Sequence, residues 1–174
     1  GIRCFGENKV QEAEKKFINQ PKNTELHLIG HLQKNKIKRA LKIFDVIQTV
    51  DSIELAEKIN YHANNKNQRI YCQINIGNDP NKFGFSKQEA LDKINKIQSL
   101  NNITIEGIMT ILPFQLSIEE NEKLYKKTRD IYKKIKKTCP SCVELSMGMS
   151  NDYEVAIRCG ATIVRIGTGL FGKR

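Results

Sequence analysis

The chain has 174 residues, of which 39% are hydrophobic and 28% charged, and its formal net charge is +10. That length suits one domain with a sizeable core and is short for two. No stretch reaches the roughly 18 apolar residues of a membrane span, and no signal-peptide pattern opens the chain. The five cysteines are an odd number and suggest reduced thiols in a cytoplasmic protein.

In chain order, short apolar runs predict buried strands at "RCF" (3–5), "LHLIG" (26–30), "VIQTV" (46–50), "IYCQINI" (70–76), "ITIEGIMTI" (103–111), "VELSM" (143–147) and "TIVRI" (162–166). Amphipathic helical patterns fill the six intervals. Ser52 is a candidate N-cap for "IELAEKINYHANN" (53–65), and Ser86 with Glu89 and Ser117 with Glu120 have capping-box spacing. Gly160 after "YEVAIRC" reads as a helix stop. Strict alternation predicts a parallel sheet with right-handed crossovers, either an open doubly wound sheet or a (β/α)8 barrel. Seven strands are one short of a barrel. The first residue is Gly1, and the expectation is a single barrel domain over 1–174 whose first strand lies upstream.

The last apolar run leads into "RIGTGLFG", where Gly167, Gly169 and Gly172 spell G-x-G-x-x-G. A dinucleotide fingerprint must open a helix and needs an acidic residue about 20 positions on. Only Lys173 and Arg174 follow Gly172, so neither is expected. In a barrel, the loops after strands seven and eight often hold phosphate. Here "SMGMSND" and "RIGTG" end the last two strands, and both are rich in glycine and hydroxyls. Asn151 and Asp152 look like a helix start, which places Ser150 beside a helix N-terminus. Arg165 stands inside an apolar strand, where a cation is costly to bury unless it is paired.

Other motifs read as structural. "CPSC" (139–142) follows a helical pattern rather than a strand and has no second cysteine pair, so neither a redox nor a zinc role is expected. His27 and His31 flank a strand pattern, where four residues span about 13 Å. They cannot share an ion whose bonds to nitrogen are about 2 Å long. The basic residues are spread over every helical segment, with few aromatic residues among them, so no nucleic-acid or membrane partner is expected. Lys34, Lys36, Lys38 and Lys82 read as solvated lysines.

The blocks "FGENKVQEA", "LHLIGHLQKNK", "NKFGF", "GIMTI", "LSMGMSNDYEVAI" and "VRIGTGLFG" together resemble the YggS/PROSC family of pyridoxal-phosphate-binding proteins, in order and over almost the whole chain. The resemblance implies a TIM-type barrel similar to the N-terminal domain of alanine racemase. It also implies binding of pyridoxal 5′-phosphate (PLP) and maintenance of vitamin B6 cofactor balance, without established turnover; a racemase-like enzyme is the alternative. By position, Ser150, Gly167 and Thr168 would hold the phosphate and Arg165 would face the pyridine nitrogen. Asn8 would lie near the polar edge of the ring, and Met109 would line the pocket. The family's Schiff-base lysine has no match here and is expected upstream of Gly1. "GHLQ" replaces the family's usual "GPLQ", which makes His31 a local variation. The implied partners are PLP and PLP-dependent apoenzymes, with a monomeric state.

Overall fold

The computed structural model describes residues 1–19, 22–64 and 66–172. Asn65, the last residue of one predicted helix, and Lys173 and Arg174 lie outside the described residues. Seven strands alternate with helices: β1 (Cys4–Glu7), α1 (Val10–Lys16), β2 (Glu25–Leu28), α2 (Ile37–Ile43), β3 (Val46–Val50), α3 (Ile53–Ala63) and β4 (Gln68–Gln73). They continue with α4 (Ala90–Gln98), β5 (Ile103–Met109), α5 (Ile118–Thr138), β6 (Glu144–Met149), α6 (Tyr153–Arg158), β7 (Ile163–Arg165) and α7 (Thr168–Phe171).

All neighbouring strands pair in parallel, in the order of the sequence. A doubly wound sheet would reverse its strand order at a switch point. This one does not, and it curls into a nearly closed barrel with β1 and β7 as its edges. The curl brings β6 across to β3, where Ser146 Oγ donates to Gln48 Oε1 at 2.7 Å.

Alternate strand residues divide between two cores, as the two-residue side-chain period requires. Leu26, Leu28, Ile47, Ile70, Cys72, Ile105, Ile108, Leu145 and Met147 pack outward against the helices. Val46, Tyr71 and Met109 pack together inside the barrel, with Ile111 and Ile163 against them.

The helix signals act locally as expected. Ser52 Oγ accepts from Leu55 N–H, and Ser117 with Glu120 forms a complete capping box at the start of α5. Ser86 accepts from Glu89 N–H and donates to Glu89, but it opens a turn ahead of α4 rather than the helix itself. Gly160 stands just beyond α6 at φ +94°. The short α7 was not expected: a helical turn begins inside the G-x-G-x-x-G run, at Thr168. It carries no acidic residue in its first turn, and the sequential strand order still separates this loop from a dinucleotide fold.

Gly148 turns β6 toward the mouth at φ +93°. A Cβ there would meet Ala156 Cβ at 2.5 Å and Tyr153 Cα at 3.1 Å. Gly148→Ala combines a left-handed backbone with overpacking against α6, a cost of about 2 kcal/mol or more. Denaturant titration should show that loss, and an unchanged midpoint would contradict this account of the turn.

Candidate functional site

The C-terminal ends of the strands form one mouth of the barrel, and most candidate residues sit there because each ends a strand or follows it. Ser150 is the first residue after β6 and Arg165 the last of β7. Asn8 directly follows β1, and Thr110 directly follows β5.

Two adjoining loops make a donor cup. Ser150 Oγ accepts from Gly167 N–H and from Gly169 N–H, each at 3.2 Å. Thr168 lies between these two amides, exposed, as the first residue of α7. A Cβ added at Gly167 would have nothing within 4 Å, so the space over this amide is open. Converging backbone amides beside a hydroxyl form an anion-binding concavity. The structure thus brings Ser150, Gly167 and Thr168 together, and their donor set suits a phosphate group.

Arg165 reaches inward from the end of β7. Its Nη1 donates to Ser146 Oγ at 2.7 Å and its Nη2 to the Thr110 carbonyl at 2.8 Å. Burial pushes the guanidinium down to about 10, opposed by electrostatic interactions with Tyr125 and Asp152. It remains a cation at neutral pH, so it is a fixed donor with no capacity to accept. Asp152 precedes α6 and is itself fixed: Tyr125 Oη donates to its Oδ2 at 2.7 Å, and Met149 N–H donates to its Oδ1 at 2.6 Å. Burial and this carboxylate both raise the Tyr125 phenol, which therefore stays protonated.

Asn8 lies apart from the cup. It lines a cleft of about 240 Å3 in the mouth with Gly30, His31, Thr49, Gln73 and Ile111. Met109 is wholly buried in the barrel interior beside Val46 and Tyr71, beneath the mouth. Lys82 differs from the solvated reading. Its ammonium folds back onto the Leu112 carbonyl, and burial lowers its pKa. Lys34 pairs with Glu54 on the surface. His31 stacks on Phe83, with ring centroids 3.8 Å apart, and its Nδ1 lies 3.1 Å from Asp51.

The thiols of the "CPSC" segment are buried between α5 and β6. Burial pushes Cys142 up to about 12, which leaves it un-ionised and a poor nucleophile. Among the described residues no group of three or more His, Cys, Asp or Glu side chains could hold a metal ion. No helix among them is long and apolar enough to cross a membrane.

The sequence reading missed a set of polar residues inside the barrel. His27, Gln48, Gln73 and Ser146 are all buried. The available signal was one or two polar residues within each largely apolar run, the same oddity that drew attention to Arg165. His27 has a measurable consequence. Burial lowers its pKa, against the pull of Glu25. The unfolded chain therefore binds a proton that the folded chain resists, so stability falls as pH drops below the ordinary histidine value of about 6.5. Denaturation midpoints at pH 7 and pH 5.5 should show this loss. His27→Phe should flatten the dependence, and an equally steep fall in that variant would assign it elsewhere.

The nearly closed parallel barrel and the phosphate-type cup at its C-terminal mouth define a class of cofactor-binding barrel, and the comparisons bear on the same class. The family model described as "Alanine racemase, N-terminal domain" matches residues 1–174. The pyridoxal phosphate homeostasis protein of Haemophilus influenzae is 36% identical over all of this chain and 76% of its own length. The counterpart from Synechocystis is 37% identical over all of this chain and 82% of its own. The chain belongs to the pyridoxal phosphate homeostasis family, within the alanine racemase N-terminal domain group. Among solved structures, PipY of Synechococcus elongatus with PLP bound is 34% identical, with a TM-score of 0.89 over 99% of this chain and 82% of that one. An alanine racemase of Clostridium difficile, at 18% identity and a TM-score of 0.83, shares the fold.

Proposed function

We propose that this protein binds PLP at the C-terminal mouth of its barrel and serves as a reservoir and carrier of the cofactor rather than as a catalyst. Ser150, Gly167 and Thr168 hold the phosphate, Arg165 faces the pyridine nitrogen, Asn8 lies at the polar edge of the ring, and Met109 packs beneath the pocket. The observation that carries this reading is the pairing of two geometries. Two amides converge on Ser150 Oγ, and a doubly anchored guanidinium stands on the same strand end. The names of the relatives and the PLP-bound PipY structure support it.

Bound PLP supplies an electron-withdrawing ring, strongest when its nitrogen is protonated. A permanent cation beside that nitrogen keeps it unprotonated, which weakens the ring as an electron sink and suits storage over turnover. PLP-dependent apoenzymes are the recipients this role requires. A racemase would need proton-carrying groups on both faces of the cofactor, and no observation in the mouth favours that arrangement.

The test is PLP titration of the full-length protein, followed by a panel of amino acids. Saturable binding of one PLP, reversed by inorganic phosphate and without sustained racemisation, is expected. No saturable binding, or steady turnover, would overturn the reading. Residues 1–174 alone should hold PLP weakly and without a covalent bond. Borohydride-trapped cofactor on one of their lysines would contradict that.

A further inference from the structure

Barrel interiors of this type are normally filled by branched apolar side chains, and Val46 and Ile163 do this here. The same interior also holds an unbroken polar line. Arg165 Nη1 lies 2.7 Å from Ser146 Oγ, Ser146 Oγ lies 2.7 Å from Gln48 Oε1, and Gln48 Nε2 lies 2.7 Å from His27 Nδ1. His27 Nε2 then lies 3.5 Å from Glu25 Oε2 at the opposite end of the barrel. The line crosses four strands, β7, β6, β3 and β2.

We propose that Ser146 and Gln48 are positioning residues for the Arg165 guanidinium, held in one hydrogen-bond direction by a neutral His27 at the far end of the line. The proposal deepens the PLP reading, because the guanidinium it orients is the group assigned to the pyridine nitrogen. Its own chemistry stands on the protein alone.

The direction follows from Arg165. A guanidinium only donates. Ser146 Oγ therefore receives from Nη1 and sends its single proton on to Gln48 Oε1. The Gln48 amide must then present its NH2 to His27, so His27 Nδ1 carries no proton and accepts. The imidazole is neutral, with its proton on Nε2 toward Glu25. Ser146, Gln48 and His27 are each at most 2% exposed, so each depends on the others for its hydrogen bonds rather than on bulk solvent. The second anchor, from Nη2 to the Thr110 carbonyl, fixes the plane of the guanidinium.

Protonating His27 would set an Nδ1–H against the Gln48 NH2. Relief requires the amide to flip. Ser146 Oγ would then receive from both Arg165 and Gln48, and its own proton would lose its acceptor. The groups around His27 oppose that event only in part. Glu25 and Asp45 favour the imidazolium, and Arg69 opposes it. Arg69 also ties up Glu25 at 2.9 Å and Glu106 at 3.5 Å. Tyr71 meets the His27 ring edge-on at 6.0 Å, and Cys4 and Glu144 line the same end.

The experiment uses nitrogen-15 NMR of the histidine and arginine side chains, first without cofactor and then with PLP. In the wild type at pH 7, His27 should be neutral with its proton on Nε2, and the Arg165 guanidinium protons should exchange slowly. Gln48→Glu puts an acceptor opposite Nδ1 and should place a proton there. Ser146→Ala should speed exchange at Arg165. Both variants should weaken PLP by about tenfold, the effect of about one hydrogen bond. Gln48→Met, of similar shape, should weaken PLP equally and reduce the dependence of affinity on pH between 5.5 and 7 to that of the PLP phosphate itself. The proposal is overturned if His27 carries its proton on Nδ1 in the wild type. It is also overturned if the variants change only the melting temperature, with Arg165 exchange and PLP affinity unaltered. Wild-type protein that fails to bind PLP yet shows the stated His27 and Arg165 signals would count against the cofactor reading alone.

Discussion

Replacing Ser150 with aspartate is expected to abolish PLP binding while leaving the melting temperature unchanged or raised. In the structure the Ser150 hydroxyl accepts from the Gly167 and Gly169 amides. A carboxylate can take both N–H groups, and charge-assisted bonds of this kind are stronger than neutral ones. Local stability therefore survives the exchange. The phosphate does not, because its negative charge would meet another at about 4 Å. With an effective dielectric of about 20, two unit charges at that distance repel by about 4 kcal/mol, roughly a thousandfold in affinity. Ser150→Ala isolates the loss of the hydroxyl and should weaken binding by about tenfold, in line with one modest hydrogen bond. PLP titration beside thermal melting checks both variants. Wild-type affinity in Ser150→Asp would place the phosphate elsewhere in the mouth.

Parts of this site were legible because their signals are local. Strand β3 is buried at all five positions, and its apolar run "VIQTV" coincides with the strand. The N-cap at Ser52 and the capping box at Ser117 involve residues three apart, which a sequence displays directly. The phosphate cup could be read as two glycine- and hydroxyl-bearing loops at adjacent strand ends, although only the fold shows that the Gly167 and Gly169 amides meet Ser150 Oγ. The polar interior was not legible in the same way. Gln48 and Ser146 are 98 residues apart, and each alone is one of two polar residues in a largely apolar run. Periodicity measures how apolar a face is and is silent about which strand closes opposite it. Lys82 was misjudged for a related reason. Its acceptor, the Leu112 carbonyl, belongs to a loop 30 residues away. The helical turn at Thr168 was missed because glycines on either side of it argue against helix, whereas the Gly167 carbonyl accepts from the Leu170 and Phe171 amides and closes the turn.

Arg165→Leu should separate cofactor recognition from stability in a different way. The substitution leaves the Thr110 carbonyl without the Nη2 donor and Ser146 Oγ without the Nη1 donor. Each orphaned acceptor costs about 1–3 kcal/mol when buried. Against this, the fold no longer carries a cation whose desolvation is already evident in its lowered pKa, and replacing a buried charge by an apolar side chain can offset much of the loss. Asp152 limits that offset, because its carboxylate loses the cation that helped balance it. The net destabilisation should therefore be modest, about 1–2 kcal/mol by denaturant titration. PLP binding should fall by at least tenfold, since the pyridine nitrogen loses a charged donor. Arg165→Lys should not rescue it: a lysine is a point charge on a flexible stem and cannot reach Ser146 Oγ and the Thr110 carbonyl as a planar fork does. In the wild type the guanidinium stays charged below about pH 10, so Arg165 adds no pH dependence to binding between pH 7 and 9. Measuring PLP affinity across that range in wild type and Arg165→Lys gives the decisive comparison. Undiminished binding in the lysine variant would mean that charge alone, and not the anchored fork, recognises the ring.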